Sequence, residues 1–145
     1  MPRVTFYFNV RNREHALCQL LGKALAQGLS GCVLTGSQAA SMALDRLLWE
    51  VPQTGFLPHC NGDSPQAART PFIVDHRPEQ IPTRQILFNW SNLLPSVLDQ
   101  FDRVVEIVDA DPENRQAARA RWRAYRALGI EPESIDMQEL NTHHG

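Results

Sequence analysis

Several features that define membrane, secreted or strongly basic proteins are missing from this sequence. No apolar run approaches the roughly 20 residues that a membrane-spanning helix needs. The chain starts as a β-strand pattern rather than as a charged leader with an apolar core. Its three cysteines are an odd number and form no CxxC pair, which favours free thiols in a reducing compartment. We therefore expect a soluble, cytoplasmic protein without a membrane partner.

The chain also lacks an excess of charge of either sign. Its 14 Lys and Arg residues face 16 Asp and Glu residues, for a formal net charge of −2. This balance creates no global field that could hold a polyanion, so any basic function must be local. A length of 145 residues suits one domain, expected to span 1–145, with about 130–145 forming an extended or frayed C-terminal arm.

Strand and helix patterns alternate along most of the chain. Runs of β-branched and aromatic residues predict strands at 4–10, 31–35, 70–75, 84–89 and 103–109. Apolar residues spaced three and four apart predict helices at 14–27, 39–49 and 111–129. A short edge strand at 56–58 and a short helix at 95–100 complete the prediction. This order predicts an α/β protein, a three-layer α/β/α sandwich around a mostly parallel central sheet.

Glycine is scarce in the loops where such a fold usually binds phosphate. The turn after the first strand, 9–14, contains no glycine, and the turn after the second strand offers only Gly36. A phosphate cradle needs several backbone N–H groups freed by glycines, and a triphosphate site adds Lys beside Ser or Thr. We therefore predict a fold without a phosphate loop, with no catalytic residues and no cofactor. A nucleotide-dependent transferase would need the missing loop.

Two clusters of reactive side chains have simpler explanations than catalysis. The candidate zinc ligands are His15, His59, His76, Cys18 and Cys60. Since His59 and Cys60 are adjacent, their side chains rarely converge on one tetrahedral ion, and we predict no metal site. The candidate acid–base cluster is Asp75, Asp109 and Asp111. Aspartate at the end of a strand commonly caps a turn, which is the explanation that we favour.

The strongest local signal is an arginine-rich segment of the last predicted helix. Residues 115–126 contain five of the 14 basic residues. At about 100° per residue, one side collects Arg115, Arg119, Trp122, Arg123 and Arg126, opposite Ala117, Ala124 and Leu128. Arginine binds carboxylates bidentately and stacks on rings, so this ridge suits an acidic peptide with an apolar terminus or a nucleic-acid backbone. A solvated face whose arginines pair with nearby acids has the same spacing, but the aromatic residues favour binding.

A second candidate surface is the aromatic and proline-rich segment 47–59. Trp49, Phe56 and Leu57 fall in or beside a turn region and cannot all belong to the core. Exposed apolar residues often mark a protein interface, although a loop can also fold its aromatic side chains back onto a sheet. The residues alone are compatible with both.

Six segments of the chain occur in the same order and at similar spacing as the characteristic segments of one protein family. They are 5–8, 44–49, 56–59, 84–87, 104–106 and 121–126 followed by Gly129. Together they resemble the chi subunit of bacterial DNA polymerase III, the HolC family, over nearly the whole chain. The resemblance implies a nucleotide-binding-like α/β fold that lacks a working nucleotide site, in agreement with the missing phosphate loop. It also implies a non-catalytic accessory subunit of the clamp-loader complex that acts in DNA replication.

The resemblance also implies two protein partners. The acidic, Phe-ended C-terminal tail of single-stranded DNA-binding protein is expected at Val108, Arg119, Trp122, Arg123 and Arg126. The psi subunit of DNA polymerase III is expected at Trp49, Phe56, Leu57 and Pro58.

Two further kinds of partner are considered. A helicase is a candidate partner, and contact with nucleic acid is expected only through other proteins. The alternative function is direct binding of single-stranded nucleic acid by the arginine-rich helix. Trp122 and Arg123 stand where the family often has Tyr and Lys, which preserves an aromatic ring and a cation.

Overall fold

All the strands of the described part of the chain form one parallel sheet. A computed structural model describes residues 2–50 and 57–138. The strands are β1 (Arg3–Val10), β2 (Gly31–Leu34), β3 (His59–Cys60), β4 (Phe72–Asp75), β5 (Ile86–Asn89), β6 (Arg103–Asp109) and β7 (Glu133–Asp136). Their order across the sheet is β3-β4-β2-β5-β6-β1-β7, and every pair is parallel. The helices are α1 (Arg13–Ala26), α2 (Gln38–Glu50) and α3 (Pro112–Ala127).

Helices cover both faces of the sheet. On one face α1 and α2 pack against apolar side chains such as Val33 and Phe88. On the other face α3 packs with the 3₁₀ turn Leu98–Gln100 against side chains such as Phe6 and Leu87. A parallel sheet covered on both faces requires nearly continuous apolar strands, and β2, β4 and β5 are buried at every position. The predicted α/β sandwich is therefore confirmed. No helix among the described residues is both long and apolar enough to cross a membrane.

The ends of α1 and α3 follow their predicted sequence signals. The side chain of Asn12 accepts a hydrogen bond from the backbone N–H of His15 at 2.9 Å and caps α1. Asp111 caps α3 through the N–H of Asn114 at 3.0 Å, with a proline in the first turn. Gly28 and Gly129 follow the two helices with φ of 74° and 86°, a conformation that glycine adopts without a Cβ penalty.

The polar and proline-rich segments differ most from the prediction. The strand predicted at 56–58 lies instead at His59–Cys60, and Phe56 falls outside the described residues. The helix predicted at 95–100 is only the 3₁₀ turn at its end. Within the segment expected to form an arm, β7 pairs with β1 at the sheet edge. An edge strand that is half-exposed is held mainly by backbone hydrogen bonds to its neighbour, so it needs few apolar side chains. The sequence of β7, ESID, therefore carries little apolar signal.

Candidate binding groove beside the last helix

A groove of about 430 Å³ lies beside α3, near the edge of the sheet formed by β1 and β7. The connection from β6 through α3 to β7 passes over β1, because β1 lies between those two strands. The groove is lined by apolar Phe6, Phe8, Val108, Ala118 and Trp122, and by polar Arg115, Arg119, Arg123 and Ser134. It therefore combines an apolar floor with several guanidinium groups.

The floor of the groove is built from aromatic side chains on β1 and α3. Phe6 and Phe8 point to the same face of β1, since alternate residues of a strand share a face. The Trp122 ring lies 5.0 Å from the Phe6 ring, with a tilt of 56° between their planes. Trp122 is half-buried rather than fully on the exposed side, whereas Phe8 remains 40% exposed. A further aromatic ring could thus contact Phe8 and the uncovered part of Trp122.

The five arginines of α3 have three different environments. Arg115, Arg119 and Arg123 are exposed and line the groove. Arg126 is also exposed, but it lies outside the lining and its Nε is 3.5 Å from a Glu131 carboxylate oxygen. Arg121 is buried, with its Nε 3.1 Å from Glu106 Oε1. The helix buries Ala118, Arg121 and Tyr125, whereas Leu128, opposite the predicted ridge, is 47% exposed.

Beneath α3, the fully buried carboxylate of Glu106 accepts three side-chain hydrogen bonds. Arg121 Nε donates to Oε1, while Asn89 Nδ2 and the Tyr125 hydroxyl donate to Oε2 at 2.8 and 2.7 Å. Burial raises the pKa of Glu106, against the opposing influence of Arg121, Asn89 and Tyr125. Burial also raises the pKa of Tyr125, and the nearby Glu106 raises it further. All three contacts connect α3 or β5 to β6, an interior strand of the sheet.

The second predicted surface is only partly exposed. Trp49 is 53% exposed and its ring lies 4.4 Å from the buried ring of His59. His59 Nε2 lies 3.1 Å from Asp45 Oδ1, and His59 Nδ1 lies 2.7 Å from the Leu57 carbonyl oxygen. Pro58 is half-buried. The side chain of Leu57 is in the core, with 1% exposure, which corrects its prediction as a surface contact.

The candidate catalytic and metal residues do not form a reactive cluster. Asp75 accepts bonds from the N–H of Gly62 and from Arg77, while Asp109 and Asp111 each accept a backbone N–H at the start of α3. The capping explanation is therefore confirmed, and β2 and β5 separate the strands that end in Asp75 and Asp109. Within 2–50 and 57–138, no three His, Cys, Asp or Glu side chains are grouped as metal ligands.

Sequence reasoning found one side of the groove and missed the other. Val108, Arg119, Trp122 and Arg123 lie together in it as predicted neighbours on β6 and α3. Phe6, Phe8 and Ser134 were not anticipated, because they reach the groove through the pairing of β1 with β6 and β7. The alternation of Phe6 and Phe8 was the available signal that both belong to one face of a strand.

Fold and groove together define a parallel α/β domain with an arginine-lined apolar groove. The family model described as DNA polymerase III chi subunit, HolC, matches residues 1–133. The curated DNA polymerase III subunit chi of Pseudomonas aeruginosa is 31% identical over 133 residues, covering 89% of this chain and 92% of that protein. The subunit chi of Escherichia coli (strain K12) is 25% identical over 118 residues, covering 81% and 80%. This chain belongs to the DNA polymerase III chi subunit family, as the resemblance predicted.

Proposed function

We propose that this chain is a non-catalytic adaptor of the DNA polymerase III clamp-loader complex in the bacterial cytoplasm. One surface binds the C-terminal tail of single-stranded DNA-binding protein, and a second surface binds the psi subunit. The observation that carries the proposal is the groove beside α3, in which three guanidinium groups accompany an aromatic floor. Such a site suits a ligand that has both carboxylates and an apolar side chain.

The spacing of the groove arginines suits an extended acidic peptide. Arg115, Arg119 and Arg123 follow one another at four-residue intervals, so their Cα atoms advance by about 6 Å along the helix axis. In an extended chain, side chains two residues apart are separated by about 7 Å and face the same way. Alternate carboxylates of the tail can therefore meet successive arginines. Its terminal phenylalanine would contact Phe6, Phe8 and Trp122 on the floor.

The psi subunit is assigned to the surface around Trp49 and Pro58. An exposed indole is a common anchor of protein interfaces, because it buries a large area with little loss of conformational freedom. His59 supports the indole of Trp49 from below at 4.4 Å. This surface lies in the α2 layer, across the sheet from α3, so both partners can bind at the same time.

Tethering is the proposed mechanism of the adaptor. A DNA-bound oligomer of single-stranded DNA-binding protein presents several tails, and a link through psi places the chi subunit in the clamp-loader complex. Each additional contact is then intramolecular and benefits from a high effective concentration, so modest affinity at one groove suffices.

Fluorescence anisotropy with a labelled peptide that copies the acidic, Phe-ended tail tests the groove. We expect Arg119→Ala and Trp122→Ala each to weaken binding by about tenfold, the effect of losing roughly 1.4 kcal/mol. Removing the terminal Phe from the peptide should weaken binding at least as much. Arg126 was expected to contact the tail as well, but it lies on the same helix outside the groove lining. We therefore exclude it from the site, and Arg126→Ala serves as the matched control. Equal weakening by the control, or saturable binding unchanged in all variants, would refute this site.

Direct binding of single-stranded nucleic acid is the second candidate, because arginines beside an aromatic ring also suit a phosphate backbone and stacked bases. An unlabelled oligothymidine added to the same assay distinguishes the two. The peptide proposal predicts no displacement at physiological salt. The nucleic-acid alternative predicts displacement that falls steeply with salt, with a slope set by the number of phosphates contacted.

A further inference from the structure

Two side chains of α3, one helical turn apart, hold the same buried carboxylate. Arg121 reaches Oε1 of Glu106 and Tyr125 reaches Oε2. Neither Glu106 nor Arg121 lines the groove, and both are buried between the helix and the sheet. Two contacts at different heights on a helix restrain its sliding and its rotation about its own axis, whereas apolar packing alone tolerates small shifts of either kind.

The carboxylate is itself held in place by the loop that follows β5. Asn89 donates to Glu106 at 2.8 Å and to the Leu93 carbonyl oxygen at 3.0 Å, and its Oδ1 accepts from the Ser91 hydroxyl at 2.7 Å. The Arg121 guanidinium extends the same network through a longer contact, 3.4 Å from the Asn92 carbonyl oxygen. The helix is thereby joined to two central strands through a polar network that has few alternative arrangements.

The orientation of α3 decides the shape of the groove. Trp122 directly follows Arg121 in sequence, and the groove arginines are on the same helix. Side-chain atoms lie roughly 5 Å from a helix axis, so a rotation of about 10° displaces them by about 1 Å. Binding constellations need their groups held to within about 0.5 Å. A small rotation of α3 would therefore alter the contact between Trp122 and Phe6 and move the guanidinium groups.

We propose that Glu106, Arg121 and Tyr125 are positioning residues that fix the rotation of α3 and thereby preform the groove. The role concerns geometry rather than stability, since a buried ion pair can often be replaced by apolar residues of similar volume without loss of stability. The expected effect on peptide binding rests on the proposed function of the groove. The effect on the helix position can be measured without a ligand.

Three variants of the full chain separate positioning from stability. Tyr125→Phe removes one hydroxyl and keeps the ring that packs on Phe6 at 5.8 Å. The paired change Glu106→Leu with Arg121→Met removes the charges and keeps apolar volume in the core. Val33→Ala is the matched control, because it creates a cavity in the α1 and α2 layer on the other face of the sheet. Urea unfolding of each variant gives its stability.

Two readouts then decide the inference. In the ligand-free protein, NMR contacts between the Trp122 and Phe6 rings should weaken or shift in both network variants and stay unchanged in Val33→Ala. The affinity for the acidic, Phe-ended peptide should fall about tenfold in the paired variant and stay within twofold in Val33→Ala, whatever their unfolding midpoints.

Unchanged ring contacts in the network variants would overturn the inference, as would an affinity that merely follows stability across all three. If the unaltered protein binds no peptide while the ring contacts respond as expected, the proposed function fails and the positioning of α3 stands.

Discussion

Two buried carboxylates show how burial and hydrogen-bond donors oppose each other in setting the pKa of a side chain. Glu106 lies in the centre of the sheet, where burial raises its pKa despite three side-chain donors. Burial would also raise the pKa of Asp75, but hydrogen bonds from the side chain and backbone of Arg77 and from the N–H of Gly62 lower it below its usual range. Both residues belong to strands of one sheet, yet their contributions to stability respond oppositely to pH.

Asp75→Asn should destabilise the protein by about 2 kcal/mol at pH 7, since a hydrogen bond to a charged group contributes about that much. A carboxyl group whose pKa is lowered on folding contributes stability above its unfolded pKa, near 3.8, and that contribution is lost as pH falls toward the folded value. The difference between variant and unaltered protein should therefore shrink below about pH 4. Urea unfolding at pH 7, 5 and 3 measures it.

Asp99→Asn is the control for this experiment, because Asp99 is exposed at the surface. Its substitution should change stability by less than about 0.5 kcal/mol. A difference between Asp75→Asn and the unaltered protein that persists undiminished at pH 3 would contradict the electrostatic explanation.

Helix ends were predictable at the scale of single elements because their signals are local. Asn12 and Asp111 cap helices at the predicted positions, and Gly28 ends α1 where the apolar pattern stops. The strand β7 was not predicted, because its stability comes from pairing with β1 about 130 residues earlier in the chain. The buried face of α3 was also obscured, because it carries Arg121, a charged residue that gives no apolar signal.

Gly28→Ala should destabilise the protein by about 1 kcal/mol, because φ at this position is +74° and a Cβ is unfavourable in that conformation. The penalty comes from the backbone rather than from crowding, since an added Cβ would meet nothing within 4 Å. Thermal and urea unfolding measure the change.

Gly36→Ala is the matched control in the turn before α2. Its added Cβ would come no closer than 4.0 Å to another atom, and φ there is not in the left-handed region. We expect a change below about 0.5 kcal/mol. Equal destabilisation by both substitutions would show that the glycine conformation at the end of α1 is not the cause.

At the scale of the whole molecule, the sheet separates two candidate surfaces. The groove belongs to the layer of α3, whereas Trp49 belongs to the layer of α2. The helical pattern of α3 predicted Arg119, Trp122 and Arg123 as neighbours, and the family resemblance added Val108. The contribution of β1 and β7 could not be predicted, because strand order is set by long-range pairing that one sequence does not encode locally.

A single complex-formation experiment tests the adaptor proposal most directly. Sedimentation velocity would follow the protein mixed with psi and with intact single-stranded DNA-binding protein. We expect one complex that contains all three proteins. Trp122→Ala should release single-stranded DNA-binding protein and keep psi, Trp49→Ala should do the reverse, and deletion of the acidic tail should match Trp122→Ala. Loss of both partners in either folded variant, or retention of the tail-deleted protein, would contradict two independent surfaces joined by this chain.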